Sequence, residues 1–134
     1  FREAPIVFKV FKKLKRNPDV LMVEGQGVAH PYGCGLASHV GVILKLPTIG
    51  VAKSLLCGEV GSYKGNQAPI LYRGKVVGSA LTTKPDSKPI YVSVGNMTTL
   101  SQAVDIVTRC VRDSRMPEPL RLAHELTRGS TGKN

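Results

Sequence analysis

The chain of 134 residues has few of the features that mark membrane and secreted proteins. No apolar run approaches the roughly 20 residues that a helix needs to span a bilayer, and there is no secretory signal peptide. The three cysteines, Cys34, Cys57 and Cys110, are odd in number and form no C-x-x-C pair, which argues against a disulfide framework. We therefore predict a soluble, cytoplasmic protein with free thiols.

Acidic residues are also scarce. Nine Asp and Glu stand against 19 Lys and Arg, so the formal net charge is +10. This excess favours an anionic partner, and nucleic acid fits it best; the alternative is a solvated surface that is merely rich in lysine. A chain of this length buries about two-thirds of its unfolded surface, so we expect one domain with its own core.

Residues 20–53 have the pattern of a strand, a helix and a second strand. Val20 to Val23 is a continuous apolar run, typical of a buried strand. Apolar residues with helical spacing run from Gly35 to Leu46, Pro47 ends that run, and Thr48 to Val51 is a second short apolar strand. A βαβ unit of about thirty residues predicts that the two strands are parallel neighbours.

The later elements are predicted from turn signals and periodicity. We expect, in chain order, a loop at 57–68, a hairpin from Ile70 to Leu81 turning at Arg73-Gly74, and a strand from Ile90 to Val94. Two helices follow, one from Thr98 or Thr99 to about Arg112 and one from Leu120 to about Arg128. The tail at 129–134 is predicted to be disordered.

A first amphipathic helix is predicted from Pro5 to about Asn17. One of its faces carries basic residues at i, i+3, i+4 and i+7, namely Lys9, Lys12, Lys13 and Arg16. This stripe either meets nucleic-acid phosphates or is a solvated helix face, and the spacing does not decide between the two.

Four polar residues are candidates for a hydrolytic site: Glu3, Glu24, Lys53 and Asn96. The last three each follow a predicted strand, and in open α/β sheets ligands bind outside the carboxyl ends of strands. Carboxylates there can hold Mg²⁺, which would polarise a phosphodiester and help to ionise an attacking water. Lys53 would stabilise charge developing on the phosphate.

These candidates also have ordinary explanations. An acid is favoured at a helix start without any metal, and a lysine or glutamate at a strand end is often a solvated surface residue. The cluster of His30, Cys34 and His39 fits no structural zinc pattern, and nothing marks Cys34 as an activated nucleophile. The chain contains no Walker-type loop and no G-x-G-x-x-G motif.

Five segments together resemble the endonuclease V family of metal-dependent nucleases, which act at deaminated adenine (inosine). In family order they are FREAP (1–5), VLMVEGQGVAHPYGCGLASH (20–39), LPTIGVAKSLL (46–56), KPIYVSVGN (88–96) and MPEPLRLAHEL (116–126). The resemblance implies an α/β fold of the ribonuclease H-like class, a mixed sheet flanked by helices. It also implies Mg²⁺-dependent cleavage, with Mn²⁺ as a substitute, of the second phosphodiester bond 3′ to inosine in DNA or RNA, and hence repair of deaminated adenine.

The resemblance also assigns roles to catalytic candidates. Glu3 matches the family's metal-site glutamate, and Glu24 stands where the family has a metal-binding aspartate. Lys53 matches the active-site lysine. Asn96 stands where many members have a histidine near the metal.

A second set of positions is implied to bind the substrate. Gly25, Gly35 and Leu36 match residues that line the pocket for the flipped hypoxanthine base. Extruding that base costs a few kcal/mol, least at a weak inosine pair, which assists selection. We further predict that His30 and the basic stripe contact nucleic acid.

Three departures from the family pattern leave other interpretations open. The family's amino-terminal part, with the first strands and another catalytic aspartate, is absent, so we expect residues 1–128 to form a domain incomplete at its amino-terminal side. Its exposed sheet edge would be covered by a separate amino-terminal polypeptide or by self-association. Glu24 replaces an aspartate, and misplacing a carboxylate by roughly an ångström can cost about a hundredfold in rate. Asn96 cannot transfer a proton as histidine can.

The principal alternative is therefore a catalytically impaired fragment or a non-catalytic nucleic-acid-binding subunit of the same fold. A third interpretation is another ribonuclease H-like nuclease, such as a junction resolvase, which would be indifferent to inosine.

Overall fold

The computed structural model of the chain describes Pro5, Lys9 and residues 18–132. Its strands are β1 (Leu21–Glu24), β2 (Thr48–Ala52), β3 (Glu59–Val60), β4 (Gln67–Tyr72), β5 (Lys75–Leu81) and β6 (Ile90–Asn96). Its helices are α1 (Leu36–Leu44), α2 (Leu100–Cys110) and α3 (Glu118–Gly132). Pro5 and Lys9 are helical and exposed. The rest of the predicted first helix and Glu3, Lys12, Lys13 and Arg16 lie outside the described residues.

The six strands form one mixed sheet in the order β1-β2-β6-β5-β4-β3. β1 and β2 are parallel, as the βαβ pattern predicts, and every other pairing is antiparallel. We call the edge at which β1 and β2 end the upper edge. β6 begins at this edge, because Ala52 pairs with Tyr91, and it ends at the lower edge, where Asn96 pairs with Thr48.

The helices cover both faces of the sheet. Successive strand residues point to opposite faces, and in β2 the Thr48 Oγ1 donates to the Ala37 carbonyl of α1 at 2.7 Å. Ile49 points the other way, into a core that it shares with Val107 of α2 and Leu120 of α3. Full burial of such an aliphatic side chain stabilises the fold by about 1.5–3 kcal/mol.

Two predicted segments are wrong in detail. The predicted loop at 57–68 contains β3 and the start of β4, since the backbone of Glu59–Val60 finds antiparallel partners on β4. The last helix begins at Glu118, because a proline such as Pro119 is tolerated in a first helical turn. It then continues to Gly132, so residues 129–132 of the predicted disordered tail are helical.

Other boundaries are confirmed. The hairpin turns at Arg73-Gly74, both with positive φ. Thr99 caps α2 through a capping box, in which its hydroxyl accepts from the Gln102 N–H and the Gln102 side chain accepts from the Thr99 N–H.

Candidate active site

A cleft of about 810 Å³ lies at the upper edge, beside the end of β1 and the start of α1. Five residues predicted from the sequence line it: Glu24, Gly25, His30, Gly35 and Leu36. Its other lining residues are Gln26, Tyr32, Cys34 and Leu56. The structure therefore gathers the predicted base pocket and the predicted metal-binding carboxylate into one concave surface.

Close backbone packing explains the glycines that follow β1. The Gly25 N–H donates to the Val51 carbonyl at 2.9 Å, and the Gly27 N–H donates to the Ser93 Oγ at 2.8 Å. A Cβ atom on Gly27 would lie 2.0 Å from the carbonyl oxygen of Val94. Only glycine lets the segment cross β2 and reach β6 at this distance.

The same segment closes onto the start of α1. The Gly35 N–H donates to the Gly27 carbonyl and the Ala37 N–H to the Gln26 carbonyl, both at 2.9 Å. A Cβ atom on Gly35 would lie 2.4 Å from the Gln26 carbonyl oxygen. Gly35 and Leu36 thus bring the first turn of a helix, with its N–H groups that lack intrahelical acceptors, to the wall of the cleft.

Glu24 and Lys53 meet at the upper edge as predicted. Glu24 is exposed at the end of β1 and pairs in register with Val51 of β2. Lys53 is exposed and directly follows β2. Adjacent strands lie about 4.8 Å apart, so the two backbones are neighbours. Neither side chain forms an ion pair with another of the residues that the structure describes.

The prediction that Asn96 joins this site is wrong. β6 is antiparallel to β2, so its carboxyl end lies at the lower edge, opposite Thr48 and four residues of β2 away from Ala52. The Asn96 Nδ2 donates to the carbonyls of Gly41 and Leu46, each at 3.0 Å. Asn96 therefore satisfies backbone groups where α1 ends, and three residues of β2, from Thr48 to Val51, separate its level from that of Glu24, about 10 Å along the strands.

His30 stands at the mouth of the cleft in a defined orientation. Its Nδ1 accepts the backbone N–H of Tyr32 at 3.1 Å, and the two rings lie 5.9 Å apart. A neutral imidazole that accepts at Nδ1 carries its proton on Nε2. His30 thus lines the cleft with its ring held by the backbone of Tyr32, and its role toward nucleic acid stays a prediction.

Three residues that hold the site together were not predicted. The Gln26 Nε2 donates to the Ser54 carbonyl at 3.0 Å and ties the cleft to the segment after Lys53. The guanidinium of Arg115 donates to the carbonyls of Lys53, Lys88 and Pro89 at 2.7–2.9 Å. Leu56 adds an apolar wall; only its place within the LPTIGVAKSLL segment pointed to it.

Comparison with known proteins shows what the whole chain is similar to. A family model described as Endonuclease V matches residues 1–125. The chain belongs to the endonuclease V family. An endonuclease V from Thermofilum pendens is 53% identical over 125 residues, which cover 92% of this chain and 54% of that protein.

Two solved endonuclease V structures share the fold. The enzyme from Streptomyces avermitilis superposes with a TM-score of 0.89 at 39% identity, covering 99% of this chain and 60% of that one. A Ciona intestinalis endonuclease V variant, solved with a 23mer DNA containing an inosine followed by a ribo-adenosine, gives 0.88 at 32% identity, covering 99% and 64%. The predicted mixed sheet flanked by helices is confirmed. The chain spans a little over half of the length of the first curated relatives.

The predicted free thiols are also confirmed, since Cys34, Cys57 and Cys110 are all unpaired with one another. In the part of the chain that the structure describes, no helix combines the length and the apolar character needed to cross a bilayer.

Proposed function

We propose that the chain carries the base pocket and part of the catalytic site of an endonuclease V that cleaves inosine-containing nucleic acid. The proposed bond is the second phosphodiester 3′ to inosine, in DNA or RNA, and the proposed role is repair of deaminated adenine. The observation that carries this proposal is the single cleft that unites Glu24, Gly25, Gly35 and Leu36 in a member of this family.

The cleft suits a flipped hypoxanthine. Leu36 and Leu56 supply apolar walls for the faces of the base. The Gly35 and Ala37 N–H groups already donate to the Gly27 and Gln26 carbonyls, so the proposed donor for the carbonyl oxygen of the base is the N–H of Leu36, which lies between them and lines the cleft. Gly25 and Gly35 carry no side chain, so the base edge approaches the backbone directly. Recognition by backbone groups would make this pocket specific for the shape and the edge of the base.

We propose that a divalent metal binds beside the pocket through Glu24, the carboxylate that lines it; the described residues contain no group of three His, Cys, Asp or Glu that could hold a metal without further ligands. The carboxylate is exposed at the cleft and forms no ion pair within the described part of the chain, so its oxygens remain available as ligands. Mg²⁺ in proteins commonly takes one or two carboxylates and completes its shell with water and substrate phosphate. Bound here, Mg²⁺ or Mn²⁺ would act as a Lewis acid on the scissile phosphodiester. Glu3, the proposed second ligand, lies outside the described residues.

The proposed role of Lys53 is to act on the same phosphate. Its carbonyl is held by Arg115, and the next carbonyl is held by Gln26, so the backbone that carries the lysine is fixed on both sides. A positioned ammonium group stabilises the negative charge that develops on the phosphoryl oxygens during cleavage. We propose that Glu24 holds the metal on one side of the scissile bond while Lys53 faces it from the other.

The decisive test is single-turnover cleavage of a duplex with one inosine, with Mg²⁺ and then with Mn²⁺. We expect a nick at the second phosphodiester 3′ to inosine, no nick in the matching adenine duplex, and loss of cleavage with retained binding in Glu24→Gln. Cleavage that ignores inosine, or that survives Glu24→Gln unchanged, would refute the proposal.

A non-catalytic nucleic-acid-binding subunit is the second candidate, and the glutamate at position 24 favours it because the family uses the shorter aspartate there. In that case the duplex would be bound but stay intact under both metals. Among the described strands β1 pairs only with β2. A separate amino-terminal polypeptide or a second copy of this chain would then satisfy its outer edge. Restored cleavage on adding the missing family segment would identify such a partner.

A further inference from the structure

A group of four cations continues the upper edge beyond Lys53, and we call it the basic rim: Lys84, Lys88, Arg112 and Arg115. Lys84 and Lys88 lie in the connection between β5 and β6, and both arginines lie between α2 and α3. The two segments, distant in sequence, are joined by hydrogen bonds. The Lys84 Nζ donates to the Arg112 carbonyl at 2.8 Å, and the Arg115 Nε donates to the Lys88 carbonyl at 2.8 Å.

Further hydrogen bonds hold the backbone that carries the rim cations. The Thr83 hydroxyl donates to the Arg115 carbonyl at 2.7 Å, and the Ser87 hydroxyl donates to the Lys84 carbonyl at 3.1 Å. Arg115 also spans from Pro89 to Lys53, which links the rim to the proposed catalytic lysine. Because these bonds involve backbone carbonyls, they position the cations without neutralising their charge.

The charge of the rim is only partly offset by its neighbours. The same two segments carry two carboxylates, Asp86 and Asp113, against the four rim cations, and both carboxylates are exposed. The Glu118 carboxylate is hydrogen-bonded by Arg121 and also interacts electrostatically with Arg112. The three ion pairs among the described residues all lie on α2 or α3 and include none of the four rim cations.

The order of groups along the upper edge puts Lys53 between the cleft and the basic rim. From β1 to β5 it runs from the cleft, through Lys53 after β2, to Lys88 before β6 and then Lys84. With the base in the cleft and the scissile phosphate at Lys53, a strand that keeps this course next reaches the rim. We infer that the basic rim binds the phosphates of the substrate strand on the 3′ side of the cleavage site. This inference rests on the proposed function.

The test uses the double variant Lys84→Gln/Lys88→Gln and measures the binding of single-stranded inosine oligonucleotides by fluorescence anisotropy in EDTA. One oligonucleotide ends just past the cleaved bond, and another extends about ten nucleotides further 3′, within the range of known single-strand sites. A matched control, Arg73→Gln/Lys75→Gln, removes the same charge at the lower edge.

We expect the rim variant to bind the long oligonucleotide about tenfold more weakly at low salt and to lower its salt slope by about 1.4, since two phosphate contacts are lost. Binding of the short oligonucleotide should not change, and the control should bind both nearly as the unmodified protein does. The inference is overturned by equal losses on both lengths, by equal losses in the control, or by dependence on the 5′ flank instead.

Two further measurements separate this inference from its premise. Lys88→Gln alone removes a side chain that makes no hydrogen bond to another described residue, so its smaller loss on the long oligonucleotide cannot come from altered folding. An adenine-containing oligonucleotide should show the same rim effect, because phosphate contacts carry no base information. Equal affinity for inosine and adenine would instead refute the proposed function and leave the rim standing as a general phosphate site.

Discussion

The upper and lower edges of this sheet hold similar polar side chains in opposite situations. At the upper edge, Glu24 ends β1 and lines the cleft, Lys53 follows the parallel strand β2, and neither forms an ion pair with another described residue. At the lower edge, Asn96 and Thr48 pair in register, and both side chains are engaged by the backbone of α1 or of the turn that follows it.

Side-chain hydrogen bonds to the backbone therefore distinguish Asn96 and Thr48 at the lower edge from Glu24 and Lys53 at the upper edge. The Asn96 carboxamide donates both of its N–H groups to backbone carbonyls. It therefore stabilises the end of α1 and has no donor left for a substrate. Within the described part of the chain, Glu24 and Lys53 make no such bonds through their charged groups, and only their backbones are held. A polar side chain with an unused functional group on a fixed backbone is suited to bind a ligand.

The largest effect that would test this contrast is the removal of the charge at Lys53. We expect Lys53→Met to slow single-turnover cleavage by about 10²–10³-fold, since it removes a group that stabilises transition-state charge, while the Kd for the substrate changes little. Lys75→Met at the lower edge removes the same charge and should leave the rate unchanged. Equal losses in the two variants would mean that Lys53 acts only through the overall charge.

The length of the acid at position 24 should have the next largest effect. We expect Glu24→Asp to raise the Mg²⁺-supported cleavage rate by up to about a hundredfold, because the shorter side chain restores the carboxylate position usual in the family. The gain with Mn²⁺ should be smaller, since Mg²⁺ demands stricter octahedral geometry. The matched change Glu59→Asp, in the exposed strand β3, should alter neither rate. A fall under both metals would show that the site is already fitted to glutamate.

At the lower edge the expected effect is on stability instead of activity. Asn96→Ala removes the Asn96 donor from the Leu46 carbonyl and one of the donors from the Gly41 carbonyl, which keeps the Leu46 N–H at 3.1 Å. This should lower the free energy of unfolding by about 1–3 kcal/mol in urea titrations. Cleavage at a temperature where both proteins are folded should be unaffected. Asn66→Ala, which removes one long, exposed hydrogen bond of 3.4 Å, should cost less than about 0.5 kcal/mol. Loss of cleavage without loss of stability would show that Asn96 takes part in cleavage.

The misplacement of Asn96 shows where reading the sequence alone fails. Its strand was predicted correctly from alternation, but alternation does not reveal strand direction. The rule that strand ends gather ligands holds for strands that run the same way, and β6 runs against β2. The parallel pair β1 and β2 was predictable because a helical crossover of that length forces a parallel connection. The positions of Glu24 and Lys53 at the upper edge were therefore predicted from the sequence, whereas the position of Asn96 at the lower edge was not.

Long-range contacts account for the other residues that were missed. Arg115 lies 62 residues from Lys53, and Gln26 lies 28 residues from Ser54. Neither contact leaves a local pattern of hydrophobicity or turn chemistry, so only the fold reveals it. The glycines of the cleft are an intermediate case. Their clustering was visible, but the reason for Gly27, the approach of Val94, depends on how β6 packs.

The smallest expected effect concerns the pH dependence of α3, which lies beyond both edges. The Arg121 side chain donates to Glu118, and this hydrogen bond lowers the pKa of the Glu118 carboxyl below its ordinary value of about 4.3. A carboxyl with a depressed folded-state pKa contributes stability above the unfolded-state pKa and loses it as the pH falls through the folded-state value. We therefore expect Glu118→Gln to lower the Tm slightly at neutral pH, and this difference should fade as the pH falls through the lowered folded-state pKa of Glu118, below which both forms are neutral. Asp105→Asn, which breaks the more exposed pair with Arg109, should lower the Tm less at neutral pH. A difference for Glu118→Gln that persists at low pH would mean that the glutamate acts through packing and not through its charge.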